Sequence, residues 1–224
     1  MMMEIMNNTT EADNKKHVPI LYSFRRCPYA MRARFAIASS KTTVVIREIS
    51  LKNKPPELLA ISEKATVPCL HTATNIITES LDIMMWVLEK NDPELLLQMP
   101  EEGKTIINYN DGLFKKTLDR TKYSANLRDV NIAEERKIAS EFLAYLNSLL
   151  IKKFLFGDKK TLVDIAILPF IRQYAHIDRL WFNEQKWGNL MSWLDHFLAS
   201  PSFKTIQTKY PIWAKDQTPI VFPT

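Results

Sequence analysis

Val18-Pro19-Ile20-Leu21-Tyr22-Ser23-Phe24-Arg25-Arg26-Cys27-Pro28-Tyr29-Ala30-Met31-Arg32-Ala33-Arg34-Phe35-Ala36-Ile37-Ala38 reads as a buried strand, a short turn and a helix. Val18 to Phe24 is apolar and β-prone, whereas Met31 to Ala38 combines good helix formers with apolar residues at helical spacing. Pro28 suits the first helical position, where its missing N–H is no loss and its φ is already helical. Cys27 then falls at the N-cap, facing unpaired backbone N–H groups and the positive end of the helix dipole. Those groups favour a thiolate, the form that attacks sulfur or carbon. Arg25 and Arg26 add positive charge nearby. Cys27 is therefore a candidate nucleophile with a lowered pKa. The competing reading is an inert buried thiol, a common state of free cysteine.

Working outward, 18–90 alternates strand and helix signals. Thr42-Thr43-Val44-Val45-Ile46-Arg47-Glu48-Ile49 is β-branched and reads as a second strand, and Pro55 to Ile61 as a short helix opened by prolines. Pro68-Cys69-Leu70-His71 and Asn75-Ile76-Ile77-Thr78 form a hairpin pattern joined by Thr72-Ala73-Thr74. From Ser80, the spacing of Leu81, Ile83, Met84, Val87 and Leu88 marks an amphipathic helix ending near Asn91. This order fits a small α/β layer with mixed strand directions over 18–91. Asn91-Asp92-Pro93 and Met99-Pro100 bracket a linker over 92–100. Beyond it strand signals vanish. Helical periodicity runs over 101–123, 131–152, 161–178 and 187–199, so 101–224 is expected to be all-helical. Thr161-Leu162-Val163-Asp164 resembles a capping box that starts one of these helices.

The 224 residues carry a net charge of +5, with 46% hydrophobic and 25% charged residues, an ordinary globular balance. No apolar run reaches the roughly 18 residues of a membrane span. Residues 1–17 lack the apolar stretch of a signal peptide and read as a disordered leader. Two distant cysteines without a secretion signal point to a reducing, cytoplasmic setting. No Lys/Arg block of nucleic-acid-binding length appears, so neither nucleic acid nor membrane is an expected partner, while a modest positive field favours anionic small molecules. Two cysteines and four scattered histidines offer no ligand pair at zinc spacing, so no metal is expected. Four glycines form no phosphate-cradling loop.

Two further clusters carry chemistry. In Thr66-Val67-Pro68-Cys69-Leu70, a proline opening a strand is either a trans residue at a sheet edge or a cis peptide that turns the Val67 backbone toward a ligand. In Thr78-Glu79-Ser80, the two polar side chains at a helix start either cap it or hold the charges of an α-amino acid group.

Taken in order, Tyr22 to Ala30, Leu51-Lys52-Asn53-Lys54-Pro55, Thr66-Val67-Pro68, Glu79-Ser80 and the Thr161-to-Asp164 cap resemble the glutathione transferase superfamily, and most closely its omega-like, cysteine-type class. The likeness spans about 18 to 200. It implies a thioredoxin-like N-terminal domain followed by an all-helical C-terminal domain, and a homodimer. It further implies that Cys27 forms a mixed disulfide with glutathione, the co-substrate, and that Tyr29 lines the site. Val67, before a cis Pro68, would pair through its backbone with the cysteinyl part. Glu79 and Ser80 would take the γ-glutamyl ammonium and carboxylate, and Lys54 the glycyl carboxylate. Where dithiol oxidoreductases of this fold carry a second cysteine, this chain has Ala30, so the implied cycle is monothiol, acting on a small electrophilic, disulfide or glutathionylated substrate. Omega-like relatives act as thiol transferases and dehydroascorbate reductases. Some proteins of this fold are instead non-catalytic binding modules of the stringent-starvation type. Cys69, where the family has an aliphatic residue, is either a resolving thiol, since Pro68 neighbours the active cysteine in this fold, or a buried structural cysteine turned away into the sheet, the reading that strand alternation favours.

Overall fold

The computed structural model describes residues 18–127 and 130–223. The expected leader, 1–17, lies outside them. The chain opens as its sequence requires. β1 (Ile20–Ser23) gives way to α1 (Pro28–Ser39), with Cys27 at the N-cap in extended backbone and Pro28 in the first turn. β2 (Val44–Glu48) alternates buried and half-buried residues, as a β-branched strand covered on both faces does. Then follow α2 (Pro56–Ile61), β3 (Cys69–His71), β4 (Ile76–Ile77) and α3 (Ser80–Leu88). β1 runs parallel to β2 and antiparallel to β3, which pairs antiparallel with β4. This is a thioredoxin-like α/β domain.

The second half is helical. α4 (Glu101–Tyr109) runs through a π-helical segment (Asn110–Phe114) into α5 (Lys115–Lys122), and α6 (Ile132–Leu149), α7 (Leu162–Ala175), α8 (Arg179–Asn183), α9 (Gly188–Ala199) and α10 (Pro201–Ile206) follow. The capping box of α7 forms as its sequence predicts. Asp164 is fully buried; its carboxylate accepts from the Thr161 N–H (2.8 Å), the Leu155 N–H (3.1 Å) and the Trp193 indole (3.0 Å). α8 and α10, each a helix of one to two turns behind a capping Asp178 or Ser200, are too short for periodicity to reveal.

The expectation of helix alone to the chain's end needs correction. Ile220–Phe222 forms β5, which pairs antiparallel with β2 and completes a sheet of order β4-β3-β1-β2-β5. Before reaching it, the tail crosses β2. The Trp213 N–H donates to the Glu48 carbonyl (2.8 Å), and the Trp213 ring lies 4.1 Å from the Arg47 guanidinium. Three β-prone residues between prolines are too brief a signal to stand out from a loop.

One apolar core crosses both halves. Leu21, Phe35, Leu70 and Ile83 join Phe114, Leu143, Ile165, Phe170 and Phe197 in it, and α1 is packed between α3 and α7. A smaller cluster of Tyr22, Ile49, Leu58, Ala65, Val67 and Cys69 fills in beside α2, with Cys27 against its edge. Cys27 therefore stands where the two cores approach each other.

Candidate functional site

The strand-to-helix turn holds Cys27 by its backbone first. Its N–H donates to the Phe24 carbonyl (2.9 Å), and its carbonyl accepts from Met31 (2.9 Å), the first bond of α1. The side chain makes no capping bond and is half-buried. Its thiol instead donates to the Val67 carbonyl at 3.5 Å. The Val67–Pro68 peptide is cis, the second of the two readings the sequence allows, and both residues are buried. Two segments 40 residues apart thus meet at one sulfur.

The electrostatics depart from the expected lowered pKa. Burial pushes the Cys27 thiol above its ordinary value, against the pull of the Ala30 and Tyr29 N–H groups and of the Arg34 and Lys115 charges. Desolvation disfavours the thiolate more than this helix terminus and two cations favour it. The cations also differ from those expected. Arg26 is exposed and lies 5.4 Å from the Phe24 ring, while Arg25 contributes backbone contacts. Arg34 is the buried cation behind the turn. It donates to Ser23 Oγ (2.7 Å) and to the Arg25 carbonyl (2.7 Å), and faces the buried Glu48 carboxylate at 4.0 Å. That carboxylate accepts from the Arg25 N–H at 2.6 Å. Burial lowers the pKa of Arg34 to about 10, so it remains a cation at neutral pH.

The other expected residues divide into two groups. Tyr29 sits beside Cys27 and packs across the domain boundary, its ring 4.9 Å from that of Phe170 in edge-to-face contact and 5.6 Å from the Lys115 ammonium. Burial, with the nearby Asp111 charge, pushes its phenol to about 12, so Tyr29 offers a protonated hydroxyl. Glu79 is exposed at the N-cap of α3 without capping it, which leaves its carboxylate free for a ligand. Ser80 is buried, and its hydroxyl accepts from Arg32 Nε at 2.9 Å. Lys54 lies apart. Its ammonium donates to the Lys64 carbonyl at 3.4 Å and ties down the loop around α2.

Sequence reading missed Arg32, Arg34, Asp111 and Lys115. The two arginines left one signal: charged residues on the first two turns of a helix otherwise almost wholly apolar, where a cation must find a buried partner. Asp111 and Lys115 left none, because only the domain packing brings them to α1. Cys69 is fully buried in β3 opposite Tyr22, its thiol pushed up to about 11 by burial, as a structural cysteine should be.

Cys27 at the N-cap of α1, the Val67 carbonyl it meets and the exposed Glu79 at the start of α3 are the polar groups the N-terminal domain presents. Family models match both halves of the chain. Residues 21–95 match the model described as "Glutathione S-transferase, N-terminal domain", and residues 112–201 the "Glutathione S-transferase, C-terminal domain". Among solved structures, the chain is similar to glutathione transferase Omega 3C from Trametes versicolor, with 19% identity, 88% of this chain and 91% of that chain covered, and a TM-score of 0.73. A glutathione transferase family member from Pseudomonas fluorescens pf-5, with two glutathione bound, matches with 18% identity over 85% of this chain and 92% of that one, at TM-score 0.73. The Tau class enzyme MiGSTU from mango, Mangifera indica, matches with 23% identity over 86% and 93% respectively, also at 0.73. At these identities the likeness is one of fold. No match to the curated proteins was found.

Proposed function

The chain belongs to the glutathione S-transferase family, and we propose that it is a glutathione-dependent thiol transferase of the cysteine type, acting through a Cys27–glutathione mixed disulfide. The observation that carries this reading is Cys27 at the N-cap of α1, 3.5 Å from the carbonyl of the cis Val67–Pro68 pair, with Ala30 where a second thiol would stand.

The Cys27 thiolate attacks the glutathionyl sulfur of a mixed-disulfide substrate; the substrate leaves as its thiolate, and Cys27 keeps the glutathione. A second glutathione, as thiolate, attacks that sulfur, releases oxidised glutathione and returns Cys27 to its reduced form. With Ala30 in place of a second thiol, no disulfide forms within the Cys27–Pro28 motif. The backbone of Val67 pairs with the peptide's cysteinyl unit, Glu79 and Ser80 receive its γ-glutamyl end, Lys54 its glycyl carboxylate, and Tyr29 borders the pocket from the helical side. Opposed charges at the two ends match a ligand with two carboxylates and one ammonium.

Intact mass after incubation with oxidised glutathione tests the assignment. Wild type is expected to gain one glutathionyl group and Cys27→Ser none, with loss of glutathione-dependent reduction of hydroxyethyl disulfide. An adduct that persists in Cys27→Ser, or undiminished turnover, refutes it. A protein that takes no glutathione at all would belong with the non-catalytic binding modules of this fold.

A further inference from the structure

Arg32 uses every face of its guanidinium. Nη1 and Nη2 donate to the two carboxylate oxygens of Asp111 at 2.8 Å each, and Nε donates to Ser80 Oγ at 2.9 Å. The Tyr29 and Phe170 rings each lie 5.3 Å from its central carbon. Only 3% of Arg32 is exposed. A planar fork bound bidentately and held against two rings has no freedom to swing. Asp111 is fixed in turn, accepting from the amide of the fully buried Asn110 at 2.9 Å. Asp111 and Asn110 both belong to the π-helical segment that joins α4 to α5, a deviation from α geometry that is frequent at functional sites.

This arrangement sets the chemistry of Ser80. A hydroxyl has one hydrogen to give and two lone pairs to receive, and ordinarily rotates to suit either partner. With one lone pair engaged by Nε, the Ser80 hydrogen is turned away from Arg32 and free to donate. Accepting from a cation also polarises the O–H, which strengthens the bond it donates. A donor backed by a guanidinium selects an anion.

We propose that Arg32, locked by Asp111, is a positioning residue that fixes Ser80 as a hydrogen-bond donor to a carboxylate of the bound peptide, so that the helical domain helps select the ligand without touching it. The inference rests on the reading above, in which Ser80 meets the γ-glutamyl carboxylate. The simpler alternative is that Arg32–Asp111 only clasps the two domains together.

Calorimetric titration of the full chain separates the two. The ligands are glutathione and 4-aminobutyryl-cysteinylglycine, which lacks only that carboxylate. Wild type is expected to prefer glutathione by roughly tenfold or more, the scale of a hydrogen bond to a charged group. Ser80→Ala and Arg32→Lys are each expected to weaken glutathione and leave the analogue unchanged, bringing the ratio of Kd values toward one. The double variant is expected to be no worse than Ser80→Ala alone. Asp111→Asn, which keeps an acceptor for the guanidinium and serves if Arg32→Lys does not fold, should move the ratio the same way by less. Equal weakening of both ligands by Arg32→Lys, or additive losses in the double variant, would overturn the proposal and leave only the clasp. Failure of wild type to bind either ligand removes the glutathione reading itself, and this inference with it.

Discussion

Cys27 and Cys69 flank the same two residues in space. Cys69 follows Pro68 directly in the chain, while Cys27 reaches the Val67 carbonyl from 40 residues away. Both touch one small apolar cluster, and burial raises the pKa of both. What separates them is everything else. Around Cys69, burial acts alone. Around Cys27, two backbone N–H groups and two cations oppose it, and the sulfur is partly open. The two thiols thus differ in the elements that converge on them and not in their distance from Val67 and Pro68.

Thiol labelling puts that contrast to its hardest test. With iodoacetamide under native conditions, Cys27 is expected to react at least about a thousandfold faster than Cys69, which must wait for the protein to open. Peptide mapping by mass spectrometry reads both rates, and similar rates would break the comparison. The pH dependence of Cys27 sharpens it. Because the thiol sits above its ordinary value, the rate of adduct formation with oxidised glutathione should climb about tenfold per pH unit from 7 toward 9 without a plateau. A plateau near neutrality would mean that the N–H groups and cations outweigh burial. Removing one of them, as in Arg34→Met, should displace the profile further up.

The smallest effect concerns Cys69. Its folded pKa of about 11 exceeds its unfolded value of 9.0, so the stability it confers is complete below pH 9 and is lost as the pH rises toward 11. Urea unfolding of wild type and Cys69→Ala should show the alanine variant about 1 kcal/mol weaker at neutral pH, for the lost packing. That difference should narrow and then reverse between pH 9 and 11, where the unfolded wild type gains by ionising. A constant difference would mean that the native thiol ionises as freely as an unfolded one.

Sequence reading reached furthest where a single segment carries the whole signal. Strand, Cys27, Pro28 and helix lie in one run, as do the α7 capping box and the proline-opened β3, and all three form as read. It fell short where the decisive neighbour arrives through packing. Arg25 and Arg26 are adjacent to Cys27 in sequence, but the cations that act on it are Arg34, two turns along α1, and Lys115, brought by the helical domain. Ser80 was legible as a polar residue at a helix start; that its lone pair is already taken by Arg32 was not. The sign of the Cys27 shift differs from the expected one for the same reason, since the dipole of a helix can be read from residue order and desolvation cannot.

β5 gives the molecule a closed circuit. The last described strand lies along β2, so the thioredoxin-like sheet draws strands from before and after the helical segment, which is inserted between them in sequence. An excised N-terminal half, cut at the linker, would leave β2 with a row of unpaired N–H and C=O groups, an invitation to strand-by-strand association with other chains. It would also leave the Arg47 guanidinium without the Trp213 ring that covers it. The boundary between the two halves is therefore a boundary of architecture and not of autonomy, and Cys27 is built on a sheet to which residues on both sides of the helical segment contribute.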